Sequence, residues 1–499
     1  MRAEEPVSTA LPGRQRKIPP SILSNDSSLA IDYELADAHS RLGKRLMAAA
    51  QPQTNLGGVG LLRTLGLWDL ILYGIVIIQP VAPMPSFGVV SNAGHGHVVT
   101  AILIAMVAML FTAISYGRMA RIYPSAGSAF TYVGRELHPT LGYVTGWSMA
   151  MDYILNPLIC TIWCSKAAQN FFPHVPYFAW AIFFALLFTW LNLRGIETSA
   201  RINAILAFGM GIVIVIFVFE AVRYIFHIPH FGPGFFTHPF YDPRTFSSSA
   251  VFRGTSIAVL TYIGFDGIST LSEEAKNPRR NVLLATVLVC VITGVLATIE
   301  VYLAQLIWPA SQPFPEVDTA FVHISGRVGG VFLFGLVNLT LLVANIGSGM
   351  SSHLGAARLL YGMGRSNALP RKFFGAIEPR NRVPRNNVVL VGAIALLGAF
   401  LMSYELGAEM LNFGALIAFM GVNASAFVRF FLREEKKRPS NLFPPVLGFF
   451  ICLFIWLHLG RPAMIVGGIW MLVGIVYGAI KTRGFRGDLV QFSFPADET

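Results

Sequence analysis

Two long apolar segments of this chain are interrupted at their centres, and few folds tolerate that. Gln79-Pro80-Val81-Ala82-Pro83-Met84-Pro85 breaks residues 75–91, and Gly264-Phe265-Asp266-Gly267 breaks residues 259–271. Proline removes an N–H and clashes with the turn before it, and paired glycines loosen the helix. Both sequences therefore free backbone groups that hydrocarbon cannot satisfy. Such breaks persist in membranes only where they line a cavity or a ligand. They fall in the first and sixth apolar segments, and this matched placement predicts a carrier built from an inverted repeat.

With 54% hydrophobic and 13% charged residues and a mean hydropathy of +0.59, the chain is too apolar for a water-soluble protein of 499 residues. A hydropathy window of about 19 residues predicts spans near 68–91, 98–120, 139–169, 177–194, 200–224, 247–273, 281–308, 328–362, 387–403, 406–431, 442–459 and 462–480. The expected organisation is a disordered cytoplasmic tail over 1–60, a twelve-helix domain over 61–485 and a cytoplasmic tail over 486–499. Within that domain, 68–224 and 247–431 would be the two repeats, followed by extra helices at 442–480. Residues 1–60 lack the short continuous apolar stretch of a signal peptide.

A net charge of +11 could be taken for a nucleic-acid footprint, but its distribution excludes that. With a cytoplasmic N-terminus, only Lys166, Arg223, Arg244, Arg253, Arg327 and Arg461 lie outside or near outer span ends, and the other basic residues are inside. That is the positive-inside pattern of a multi-pass protein in an inner, plasma membrane, its basic side facing anionic lipid. The four cysteines all fall within spans and match no zinc spacing. They read as small core residues, with no disulfide, metal or cofactor implied.

Polar residues recur at helical spacing inside several spans. Ser148, Asp152, Asn156 and Cys160 share one face of the third, with Tyr153 at its edge. A carboxyl at that depth must face the bundle interior, so Asp152 is either a packing hydrogen bond or part of a site. Asn338, Asn345, Ser348 and Ser352 line the eighth span, and Asn412 and Asn423 the tenth. Packing explains most such stripes; Asn345 and Asn412 are carried forward as site candidates. Glu300 lies in the outer half of the seventh span, where burial would let it exchange a proton, or else bond to a neighbouring helix. Glu273 and Glu274 stand beside Lys276, Arg279 and Arg280 at the end of the sixth, as a solvated turn or a cytoplasmic gate.

Three stretches carry a family resemblance: YPSAGSAFTY at 123–132, IGFDGISTLSEEAKNPRR at 263–280 and GMGRSNALP at 362–370. They resemble the amino acid-polyamine-organocation superfamily, in order along most of the chain after about residue 61. MDYILNPLI at 151–159, FTAISYG at 111–117 and LNFGALIAF at 411–419 are similar to its bacterial putrescine importer branch. The resemblance implies an all-α, LeuT-like fold of two inverted five-helix repeats plus two extra helices. It also implies a substrate held between broken helices one and six, walled by spans three, eight and ten.

Amino acid carriers of this superfamily hold the substrate carboxylate on backbone N–H groups of a glycine-rich turn in helix one. Here the equivalent turn has Pro80, Pro83 and Pro85, which have none. Asp152 and Asp266, carbonyls near Val81 and Ala82, and the aromatics Tyr73, Tyr153, Tyr262 and Phe265 suit a cation instead. The expected substrate-binding set is Gln79, Pro80, Val81, Ala82, Asp152, Tyr153, Tyr262, Gly264, Phe265, Asp266, Asn345 and Asn412. Coupling and gate candidates are Asp152, Asp266, Glu300, Glu273 and Glu274. Some relatives carry a lysine in helix five where others bind sodium; the register puts Met210 there. Proton or membrane-potential coupling is expected, with sodium as the open alternative. The expected function is secondary active import of an amine, a putrescine-like polyamine foremost, with a general amino acid permease or exchanger as the alternative. No HExxH, paired-His or Ser-Lys arrangement supports an enzyme, and the paired breaks argue against a channel. Exchange versus net import and oligomeric state stay open.

Overall fold

A computed structural model describes residues 65–123, 128–195, 200–272, 274–365, 369–378, 383–435 and 437–484. The expected tails at 1–60 and 486–499, and Glu273, lie outside the described residues. The rest is helical, with one isolated parallel bridge between Leu65 and Ala275.

Helix or broken helix occupies each segment that hydropathy marked. The first is split into α1 (Leu67–Ile78) and α2 (Pro83–Ala93), bent by 54°. Pro83 and Pro85 suit the first turn of α2, where an N–H would have no intrahelical acceptor. Then come α3 (Val98–Ile122), a short α4 (Ser128–Glu136), α5 (Pro139–Phe171), α6 (Tyr177–Leu193) and α7 (Ala200–Phe226). The sixth apolar segment is α8 (Ser248–Ala258), a 3₁₀ turn at Val259–Tyr262, the Gly264–Gly267 break and the single turn α9 (Gly267–Thr270). The chain continues through α10 (Pro278–Ile307), α11 (Ala320–Arg365), α12 (Arg371–Phe374), α13 (Arg385–Leu401), α14 (Tyr404–Phe427), a π turn at Val428–Leu432, α15 (Pro439–Leu457) and α16 (Arg461–Lys481). Non-helical backbone at Gly329 and Gly330 kinks α11, close to where the sequence starts its eighth span.

Seven of the described helices are long and apolar enough to cross a membrane, or eight if α1 and α2 form one span. The core is mostly apolar, and α5 runs through its middle between α11, α14, α6 and α13. Trp147 on α5 stacks on Trp470 of α16 with ring centroids 4.8 Å apart, and each indole N–H donates to the other's carbonyl, at 2.9 and 3.1 Å. Helix ends on one face carry Arg121, Arg135, Arg279, Arg365 and Arg433. This is called the basic face below; the far face carries the connections 227–247 and 308–319.

Candidate functional site

The two breaks touch each other. Gly264 has φ +119, a conformation open to glycine, and a Cβ there would meet Ile77 Cγ2 at 2.7 Å, so the second break can sit against the end of α1 only without a side chain. Gln79 takes the turn out of α1 at φ +68 and anchors it by donating its amide to the Ala344 carbonyl of α11, at 3.1 Å. Donors are scarce here. Pro80 has no N–H for the Val76 carbonyl four residues back, and Pro157, inside α5, has none for the Tyr153 carbonyl. Pro157 is a local sequence signal of the same kind as Pro80.

Asp266, two residues after Gly264, has its carboxyl close to the backbone of the break. The Gly267 N–H donates to the Gly264 carbonyl at 3.0 Å. Asp152, on α5, lies within electrostatic reach of Asp266, and Tyr73, Tyr116 and Tyr153 lie around the pair. Both carboxyl residues are half-buried, and Tyr153 is 36% exposed although it packs against Gly355 of α11. Space beside Gly347 is open. Part-exposed polar side chains thus gather where the breaks approach α5 and α11.

Other expected site residues point elsewhere. Tyr262 is fully buried and donates its hydroxyl to the Ile102 carbonyl of α3, at 3.0 Å. Phe265 is likewise buried, in an aromatic layer with Tyr116 and Phe419, at 5.5 and 5.3 Å. Asn412 donates to the Ser256 and Ile257 carbonyls at 2.7 and 3.2 Å, holding α14 to the end of α8 just before the break. Asn345 donates back along its own helix to Leu341, at 2.9 Å. The Val81 carbonyl accepts the Met84 N–H at 3.0 Å, so it is not freed by the break, while Pro80 is buried and Ala82 half-buried beside it. Glu300 is fully buried on α10, with no hydrogen-bond partner for either oxygen among the described residues. Glu274 sits in the turn that ties the chain before α1 to the chain after α9: Leu65 N–H donates to its carbonyl at 3.0 Å and Lys276 N–H to the Leu65 carbonyl at 2.7 Å.

Above the breaks the far face is shut. Phe87 of α2 stacks edge-on against Phe314 and Phe321, and any side chain at Gly88 would overlap the Val317 carbonyl. Trp163 of α5 donates its indole N–H to the Asp318 carbonyl at 2.7 Å, and Lys166 pairs with Glu316 at 3.0 Å. Burial, with Glu316 beside it, pushes the Asp318 carboxyl up to about 6 against the pull of Lys166. On the basic face the fully buried Glu136 of α4 accepts from Tyr123 at 2.7 Å and from Arg433 at 2.6 Å, with Arg429 at 3.7 Å. These contacts join residues up to 297 positions apart, and no local pattern announces them.

A multi-pass helical bundle with broken helices meeting at two carboxyls is a permease architecture. The chain belongs to the amino acid permease family, which matches residues 84–481. It is a transporter of amines or amino acids, not an enzyme. Over 88% of this chain and 98% of the other, it is 34% identical to the low-affinity putrescine importer PlaP of Escherichia coli. It is 26% identical to the branched-chain amino acid permease BcaP of Bacillus subtilis, over 86% of this chain and 94% of that one. The methylthioribose transporter of Bacillus subtilis is 25% identical, over 85% and 94%.

Proposed function

We propose that this protein imports a small cationic amine, a diamine of the putrescine type foremost, by alternating access in the plasma membrane. One observation carries the reading. Asp152 and Asp266 lie within electrostatic reach of each other where Pro80 and Pro157 withhold N–H groups and the Gly264 carbonyl takes the Gly267 N–H. Such a site offers negative charge and carbonyl lone pairs and little to hold a carboxylate. An ammonium group satisfies both carboxyls and carbonyls, with Tyr73 and Tyr153 for cation-π contact.

The arrangement proposed is twelve spans with LeuT-like inverted repeats, both termini and the basic face in the cytoplasm as the positive-inside rule requires. In that orientation residues 308–319 cover the breaks from outside, and the part-exposed Asp152 and Tyr153 would line a cleft reached from inside between α5 and α11. Import of a cation is driven by the membrane potential alone at about 2.3 kcal/mol per charge per 100 mV. Proton coupling through Asp152, Asp266 or Glu300 would add to it, and sodium stays the alternative ion. A second reading, a neutral amino acid permease, is favoured by the similarity to a branched-chain amino acid permease.

Radiolabelled putrescine uptake into proteoliposomes, normalised to reconstituted protein, tests the site. Asp266→Asn and Asp152→Asn should each abolish uptake while the protein still reconstitutes. Wild-type rates in Asp266→Asn would reduce that residue to a packing role.

A further inference from the structure

An apolar groove outside the site lies on the membrane-facing surface. It encloses about 500 Å³ between α3, α8 and α15, lined by Leu103, Ile104, Val107, Phe252, Phe450 and Phe454 among others. Its one hydroxyl, Thr100, already donates to the Phe240 carbonyl at 2.6 Å, so nothing in the lining asks for a polar ligand or water. The walls run into residues exposed on the apolar belt: Val107 at 43%, Phe450 at 59% and Phe454 at 42%. From Thr100 to Val107 the groove follows the α3 axis for about 10 Å, in its first turns from the far face. An apolar groove without a free polar group, open sideways on the lipid-facing belt, suits hydrocarbon.

We propose that this groove is a specific site for one acyl chain of a phospholipid in the far-face leaflet. The chain fills the groove, and its headgroup lies at the level of the far-face helix ends. Phe252 couples the site to the moving parts. It belongs to α8, the half-helix leading into the second break, and its ring stands edge-on to Phe454 of α15 at 4.6 Å. His458 rests on both rings, at 5.3 and 4.4 Å. An acyl chain lodged there holds α8 against α15, so any swing of α8 must slide along it or expel it.

The test uses the full chain in liposomes containing a phospholipid with a photoactivatable diazirine in its acyl chain, with adducts mapped by peptide mass spectrometry. Adducts should concentrate on Leu103, Ile104 and Phe454, several-fold above the plainly exposed Ile469 and Leu472 of α16. Ile104→Trp, which plugs the groove, should remove the groove adducts and leave those on α16 unchanged. Ile451→Trp plugs it from α15 if the first variant does not fold. Equal labelling of groove and α16, or labelling that survives both plugs, overturns the proposal. Protein–protein adducts at these positions in place of lipid adducts would identify a second copy as the occupant and likewise overturn it.

Discussion

A tyrosine hydroxyl or an asparagine amide on a helix can face a ligand or a neighbouring backbone, and the spacing of residues does not say which. Tyr262 and Asn412 face backbone: one donates to Ile102, the other to the carbonyls of Ser256 and Ile257. These bonds hold the segment before the second break to α3 and α14. Asn412→Leu removes two hydrogen bonds to buried carbonyls and should destabilise the protein by about 1–3 kcal/mol, seen as a lower melting temperature in detergent. For Tyr262→Phe the expected loss is about 1 kcal/mol, with KM for the transported amine unchanged. A raised KM at unchanged melting temperature would make Tyr262 a substrate contact instead. The carboxyls behave differently, since Asp152 and Asp266 are part-exposed while neighbours of theirs in sequence, Met151 and Phe265, are buried.

At the scale of elements, the connection 308–319 covers the breaks from the far face, and if it opens as a lid, its closure is expected to be linked to protons. Asp318 is surrounded by Glu316, Lys166 and Glu405, with Tyr177 and Tyr404 also in range. Closed, its carboxyl is raised from the usual 3.8 to about 6; solvated in an open lid it returns toward the usual value. The closed form therefore binds the proton more tightly. That contribution to closure is fully present below the open-state pKa and is lost as pH rises through about 6. Phe87, buried beneath the lid, reports on it. A Phe87→Cys protein should label more slowly at pH 5 than at pH 7, beyond the slowing measured in the same protein carrying Asp318→Asn. Identical pH profiles in the two would exclude Asp318 as the titrating group. Lys166→Met removes the ion pair to Glu316 and should speed labelling at both pH values. This pair is half-exposed, so the expected effect is under about 1 kcal/mol.

Across the whole molecule, what the sequence revealed depended on how local each cause is. Pro80, Pro83, Pro85 and the Gly264–Gly267 pair act on their own backbone, so both breaks and their depth could be read directly. Helix limits followed from hydropathy, and the kink at Gly329–Gly330 lies where the eighth span begins. The buried Glu136 with Arg429 and Arg433, the lid contacts of Trp163 and Lys166, and the inward turn of Tyr262 depend on packing between distant segments. Direction around a helix axis was the missing quantity, since two residues on one face can still meet different neighbours. Pro157 was visible and local, and its effect on the Tyr153 carbonyl belongs with the proline argument at the first break. Together these residues strip donors from the site while two carboxyls remain, and the choice of an amine over an amino acid rests on that balance. Competition for radiolabelled putrescine uptake in proteoliposomes tests it most directly. The account predicts that short diamines displace putrescine and neutral amino acids do not. Competition by neutral amino acids with none by diamines would contradict it.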